Sequence, residues 1–315
     1  MKRRALRQGT ATDVLGLGCV AVDELLFMPR YPGRDARQPL HRRERQCGGM
    51  TATALVTAAR LGARAAYAGQ LGTDEDSTFV RAALQREGVD LNQAVTASDA
   101  RPVHSFVVVE EETHTRTILY DTSGSAGAHP NRPTRGFLEQ TGVLLVDRWG
   151  MEGMIRAAKI ARNAGVSVVG DLENFEVPRF EELLALADHL IVPEAFVAKY
   201  CGTRSPARGA RQLWRTDRQT VVVTCGRNGC WALDASGKAP VHFPAFEVPV
   251  VDTTGCGDVF HGAYAVALLE DLPLTERIRF ASGAAALKAT RLGGQAGIPT
   301  RMELRRFLKK AQSRS

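Results

Sequence analysis

The sequence predicts an α/β fold: a mostly parallel central sheet flanked by helices, with a small β-sheet lid. Three observations predict it. Short apolar runs alternate with helical stretches over most of the chain, the pattern of a parallel sheet covered on both faces. The alternation breaks between Glu24 and Gln46, where Pro29, Pro32 and Pro39 forbid a crossover helix. It breaks again where HSFVVVEEETHTRTILYD, ending at Asp121, reads as a hairpin turning near Glu112 to His114.

In order, VLGLGCVAV (14–22) is strand-like, TATALVTAARLG (51–62) helical and AAYAGQLG (65–72) strand-like again. After the hairpin come VLLVD (143–147), a helix near 154–164, VSVVGD (166–171), a helix near 180–187 and HLIVP (189–193). A helix from about Glu194, the strands TVVVT (220–224) and GCWALD (229–234), and helices over 257–271, 274–290 and 301–310 complete the chain. Residues 11–24, 46–100 and 124–315 are expected to form the α/β core, and 25–45 with 101–123 a discontinuous β lid. Neither an internal repeat nor a low-complexity linker interrupts this plan.

At 315 residues and 44% hydrophobic, the chain is long enough for a large core and is globular in composition. Six cysteines are scattered without metal-type or redox-type pairs, which points to a reducing cytoplasm. The opening MKRRALRQGTATD has no apolar stretch behind it, and no run approaches the roughly 18 apolar residues of a membrane span. The net charge of +7 sits largely in the first seven residues, in RRFLKKAQSRS at the end and in RDARQPLHRRER (34–45). No aromatic-interleaved basic platform accompanies it, so nucleic acid is not expected as a partner. The middle cluster falls within a candidate site, where it would meet an anionic substrate.

The stretch VDTTGCGDVFHG (251–262) carries the chemistry. It sets glycines and a second aspartate, Asp258, at the start of a long helix. Unpaired N–H groups and partial positive charge there make an anion hole, and glycines let the anion approach the backbone. A carboxylate beside such a hole either takes part in proton chemistry or caps the helix. Gly16-Leu-Gly18-Cys-Val-Ala21 matches a dinucleotide-binding fingerprint, but the residues behind it are too proline-rich for the helix that fingerprint needs, which argues against an oxidoreductase. Asp23 is read at the C-terminal end of the first strand, where open α/β sheets bind ligands, with the Gly48-Gly49 turn near the same edge. An acid beside a glycine turn suits a polyol.

Asp23, Gly48-Gly49, VVVTCGRNG (221–229) and above all Asp252-Thr253-Thr254-Gly255-Cys256-Gly257-Asp258 resemble the ribokinase-like (PfkB) carbohydrate kinases, in this order and over nearly the whole chain from about Val14 to Pro299. The resemblance implies a ribokinase-like fold and a cytoplasmic kinase transferring the γ-phosphoryl group of ATP to a sugar hydroxyl. It implies Asp258 as the base, with Gly255, Cys256 and Gly257 supplying amides to the transferred group. Such a division suits phosphoryl transfer, which needs mainly positioning and charge stabilisation. Thr224, Gly226 and Gly229, with Gly257, are implied at ATP. Asp252 and Thr254, with the segment around Arg291 to Gly294, are implied in a loop for a monovalent cation such as K+. Mg2+ would ride on the nucleotide.

The chain departs from the family in places. The usual Asn-x-x-Glu element falls at Glu194 to Val197, and Val197 cannot organise magnesium, which leaves Asp171 or Glu173 to substitute. Met50 and Thr53 stand where relatives carry asparagines. Asp147-Arg148-Trp149 and the tail 279–299 look most like sulfofructose kinase, with Arg148 at an anionic end of the substrate, Arg37 as a second cation and Tyr120 in place of an asparagine. The stretch from Arg116 to Ser123 looks like ketohexokinase. The expected substrate is a ketose or similar furanose, phosphorylated at a primary hydroxyl. The alternatives are a nucleoside kinase of the same fold, using a lid aromatic among Phe27, Tyr31, Phe106 and Tyr120, and a sugar-binding protein without turnover. Open lid edges predict a homodimer formed through the lid.

Overall fold

The computed structural model describes residues 10–113, 115–236 and 238–312. Residues 1–9 of the basic opening, His114 of the predicted turn and the last three residues of the basic tail lie outside the described residues. The chain begins with β1 (Thr12–Gly16), β2 (Ala21–Met28), β3 (Arg42–Gly48), α1 (Met50–Arg60), β4 (Ala65–Tyr67), β5 (Gln70–Leu71) and α2 (Glu75–Arg86). β6 (Val95–Thr96), the hairpin β7 (Val103–Glu110) and β8 (Thr115–Asp121), α3 (Arg135–Glu139) and β9 (Thr141–Val146) follow. Strands and helices then alternate through α4 (Met151–Asn163), β10 (Ser167–Asp171), α5 (Phe180–Leu186), β11 (His189–Pro193), α6 (Glu194–Tyr200), α7 (Pro206–Gln212), β12 (Thr220–Thr224), β13 (Cys230–Asp234) and β14 (Val241–Phe243). Last come α8 (Cys256–Leu269), α9 (Leu274–Ala289) and α10 (Arg301–Gln312).

The central sheet runs β14-β13-β12-β11-β10-β9-β1-β4, parallel except for β13 and β14 at one edge. Its strands alternate between two cores. Val143, Leu145, Val169, Ile191 and Val222 pack toward α1, α8 and α9, while Leu144, Val146, Val168, Leu190 and Val221 pack toward α4 and α5. Burial on both faces is why these strands read as unbroken apolar runs. The central helix α8 is buried from Val259 to Ala267 and lies against α1 so closely that a Cβ on Gly262 would stand 2.2 Å from Ala54 O. That contact sets the two helix N-termini side by side.

The second sheet, β3-β2-β7-β8, is built largely from the segments expected to form a lid. Here the structure corrects the strand expected over 14–22. The run is two strands in two different sheets, broken at Gly18 and Cys19, because Asp147 Oδ2 accepts the Cys19 N–H at 2.7 Å and fills the space a Gly18 side chain would need. Asp23 therefore stands inside the lid strand β2, paired with Gln46 and Ser105, and not at the end of a core strand. The lid sheet begins at Ala21, ahead of the prolines that signalled it. The run over 65–72 is likewise two strands. Helix α2 was not read from the sequence, although Asp74 caps it by accepting from the Ser77 N–H, and Glu75 and Asp76 open it as the helix dipole favours.

Candidate active site

Gly255 begins α8 in the left-handed conformation (φ 75°), with no side-chain cap. A Cβ there would press to 2.8 Å from Gly294 O. Glycine is therefore what the turn requires. The Cys256 N–H is spent on Thr253 O at 3.2 Å, whereas the amides of Gly257 and Asp258 meet no acceptor among the described residues. Nothing lies within 4 Å of where a Gly257 Cβ would stand. Two unspent N–H groups at a helix N-terminus, bordering open space, are the donor side of an anion site.

Asp258 follows at the third helical position. Part of its surface stays open, yet the protein around its carboxyl raises its pKa well above the ordinary carboxylate range, first through burial and then through the like charges of Asp171, Glu173 and Asp23. Asp171, at the end of β10, is raised too, by burial first and then by Glu173 and Asp147. His261, one turn beyond Asp258, lies 3.4 Å from Asp171 Oδ2 and 2.8 Å from Gly257 O through Nδ1, with Nε2 3.2 Å from Ile191 O. Burial lowers its pKa. A carboxyl of raised pKa beside bare amides can accept a proton from a nucleophile while the amides hold an anion.

Across the cleft Gly49 opens α1 with φ 92°. A Cβ on Gly48 would stand 2.0 Å from Asp23 Oδ2, so the acid and the glycine turn predicted to work together are in contact. Burial lifts Asp23 to a pKa of about 6, against the lowering effects of a Ser105 hydrogen bond and the nearby His104. Thr53 is buried in α1, and its hydroxyl accepts from Gln295 Nε2 at 3.4 Å. Between lid and core lies a cavity of about 250 Å³, reached by Asp23, Arg116, Asp252, Thr254 and Gly294 and floored by Leu25, Val107 and Leu292.

The remaining predicted residues divide. Arg116 Nη1 reaches from β8 to Asp252 Oδ1 (3.4 Å) and Thr253 Oγ1 (3.5 Å), bridging lid and core. Arg148 follows Asp147 at the end of β9, its guanidinium 4.4 Å from the Trp149 ring centroid and its buried Nε without a partner among the described residues. Tyr120 is 62% exposed on β8, opposite Ser105. Arg37 is exposed in the loop between β2 and β3 and does not line the cavity. At the turn expected to receive the nucleotide, Thr224 ends β12; Gly226 (φ 54°) has open space where a side chain would stand, while Gly229 is held against Phe243 O. Val197 is core, wedged against Gly209, as its apolar character implied.

Asp252 is held by its own loop and by the segment after α9. Its Oδ1 accepts from Thr254 N (2.8 Å) and Thr254 Oγ1 (2.7 Å), and its Oδ2 from Gly293 N (2.8 Å), which together hold its pKa down against burial. One residue at this loop was not singled out from the sequence. Lys288 of α9 has no exposed surface, and its Nζ donates to Asp252 O at 2.8 Å. The signal was a lone lysine inside the small-residue run AAALKAT.

The model of the pfkB family of carbohydrate kinases matches residues 19–301. The chain belongs to that family, has its ribokinase-like fold, and is an ATP-dependent sugar kinase. Ribokinase of Haemophilus influenzae is 29% identical over 306 residues, covering 94% of this chain and 98% of the relative. Fructokinase-1 of Zea mays is 29% identical over 297 residues, with 84% and 88% covered. A crystal structure of a putative ribokinase from Agrobacterium tumefaciens superimposes with a TM-score of 0.90 at 26% identity, covering 96% of this chain and 99% of that one. No helix among the described residues is long and apolar enough to cross a membrane.

Proposed function

We propose that this kinase phosphorylates a primary hydroxyl of a ketose or related furanose, with Asp258 as the base that receives the hydroxyl proton. The observation that carries the proposal is the pairing of unspent Gly257 and Asp258 amides with a carboxyl of raised pKa on the same helical turn. The amides stabilise charge on the phosphoryl group in flight, and the carboxylate orients the nucleophile. Asp23, backed onto Gly48, accepts sugar hydroxyls from the lid side. The turn at Thr224 and Gly226 receives the nucleotide, Gly226 leaving room for close approach. Magnesium fits this site as a passenger on ATP. Among the described residues no three His, Cys, Asp or Glu side chains cluster to hold a bare ion, while the charge of Glu173 adds to burial in raising the pKa of Asp171 and Asp258, a negative field that a hydrated dication relieves.

Support for a ketose comes from the likeness to a fructokinase and from the ketohexokinase-like stretch Arg116 to Ser123. Support for an anionic ketose such as sulfofructose comes from Arg148, whose buried Nε lacks an acceptor; a sulfonate or phosphate supplies one. A panel of ketoses, aldoses, sulfosugars and nucleosides, screened with ATP and magnesium for ADP release, tests the proposal. Preference for a nucleoside, with Tyr120 stacking on the base, or absence of turnover with every sugar would overturn it. We further propose a homodimer through the lid, because β8 is an exposed edge strand carrying Ile118, Leu119 and Tyr120 at the surface. A monomer by light scattering at micromolar concentration would refute that.

A further inference from the structure

Lys288 is a charge placed where chemistry usually avoids one. Burying an ammonium is costly unless oxygens surround it, and an alanine or leucine would suit the small-residue face of α9. What this ammonium meets is the carbonyl of Asp252 at 2.8 Å, with Asp252 Oδ2 4.0 Å away. Asp252 opens the loop that leads through Thr253 and Thr254 to Gly255 and the bare amides of α8. The same loop is tied to α9 a second time, since Val251 N and Asp252 N both donate to Ala289 O (2.8 and 3.1 Å). A third tie joins Asp252 Oδ2 to Gly293 N. Arg116 adds another positive group on the lid side.

A bound monovalent cation would act here by gathering loop oxygens about one positive centre and so fixing the turn ahead of α8. The Asp252 carbonyl already faces such a centre, and a potassium ion brought to the same oxygens would lie against the Lys288 ammonium, two positive charges sharing the one Asp252 carboxylate. The Asp252–Thr254 loop thus fits poorly with the potassium ion that the sequence resemblance implied.

We propose that Lys288 is a tethered replacement for the monovalent cation: its ammonium positions the Asp252–Gly255 loop, and with it the α8 amides, so that the kinase works without potassium. Lys288 is a positioning residue, acting through Asp252 and not on the substrate. The proposal rests on the assignment of the α8 N-terminus to phosphoryl transfer.

The test compares the wild-type enzyme, Lys288→Ala and Lys288→Met in potassium, ammonium, sodium and tetramethylammonium chloride at one ionic strength, reading both kcat and melting temperature. The expected wild-type kcat is the same within about twofold in all four salts, with a melting temperature indifferent to the cation. Lys288→Ala should lose at least tenfold in kcat in tetramethylammonium and recover saturably with ammonium or potassium, which also raise its melting temperature. Lys288→Met, which fills the space without the charge, should stay slow in every salt. Several-fold activation of the wild type by potassium would overturn the proposal, and this arm decides the matter even if the variants do not fold. A folded Lys288→Ala with wild-type activity, or with a loss no cation repairs, would also overturn it. Failure of the phosphoryl-transfer assignment is distinguishable: the wild type would then show no turnover while the salt dependence of the Lys288→Ala melting temperature persisted.

Discussion

Two helices of this protein open on glycine, side by side, and do different work. Both α1 and α8 begin with a glycine at positive φ, Gly49 and Gly255, and neither has a side-chain cap. At α1 the glycines serve the protein. Gly48 makes room for the Asp23 carboxylate, a Cβ on Gly49 would lie 2.6 Å from Val20 Cα, and the Thr51 and Ala52 amides are both spent on Cys19 O. At α8 Gly255 likewise serves the turn, but Gly257 serves nothing inside the protein: no atom waits within 4 Å, and the amides behind it are unspent. The lesson is that a glycine at a helix start marks a ligand site only when the space it leaves is empty and its amides are free. The same contrast separates the acids. Asp23 is gripped by the lid, whereas Asp258 rides on the helix that would hold the phosphoryl group.

The sharpest way to break this comparison is to remove the charge of Asp258. Asp258→Asn is expected to lower kcat by about two to four orders of magnitude, the range of a general base, with sugar KM largely kept. Because the folded protein raises this carboxyl's pKa, ionising it costs stability as pH rises from the ordinary carboxylate range through the folded value. The same variant should therefore melt higher than wild type at pH 8. Near wild-type turnover would reduce Asp258 to an ordinary first-turn acid.

The glycines come next. Gly257→Ala should lower kcat by roughly a hundredfold, as an ångström-scale displacement of the transferred group does, while leaving the melting temperature unmoved. Gly49→Ala should do the reverse: strain of about 1–3 kcal/mol and a clash with Val20 lower the melting temperature first. A Gly257→Ala variant that is fully active would erase the distinction between the two helix starts.

Arg148→Ala sharpens the substrate side. Losing a charge-assisted pair costs about 1.5–3 kcal/mol, so kcat/KM for a sulfonated or phosphorylated ketose should fall about ten- to a hundredfold while that for the neutral ketose barely changes. Equal losses would make Arg148 structural, a clamp beside Asp147. The smallest expected effect is on pH. Asp23 titrates at about 6, so sugar KM should rise as pH falls through 6, and Asp23→Asn should abolish that limb of the profile. A profile unchanged by the variant would assign the titration elsewhere.

Much of the site was legible because its residues are close in sequence. Asp252 to Asp258 form one contiguous motif, and local spacing alone sets the acid three positions behind the capping glycine. Asp23 and Gly48 were paired correctly for a partly wrong reason. They were expected at one edge of the core sheet, yet the chain leaves that sheet at Gly18, and Asp23 reaches Gly48 because β2 and β3 are neighbours in the lid. The break could not be read locally, since its cause is a hydrogen bond from Cys19 to Asp147, 128 residues away. Arg37 lies in a loop without secondary structure, where position in sequence says little about position in space.

By itself the sequence determined the α/β plan and the phosphoryl-transfer motif, because apolar periodicity and glycine spacing act over a few residues and need no distant partner. Tertiary structure alone decided the rest. It split the first apolar run between two sheets, spent the amides of α1 while sparing those of α8, and brought the carbonyl of Asp252 to a lysine 36 residues further on. Each of these depends on which polar group finds its partner across the fold. Burial raises the cost of an unpartnered charge far above what any local preference supplies, so the folded environment, and not the motif, sets the state of Asp23, Asp258 and Lys288.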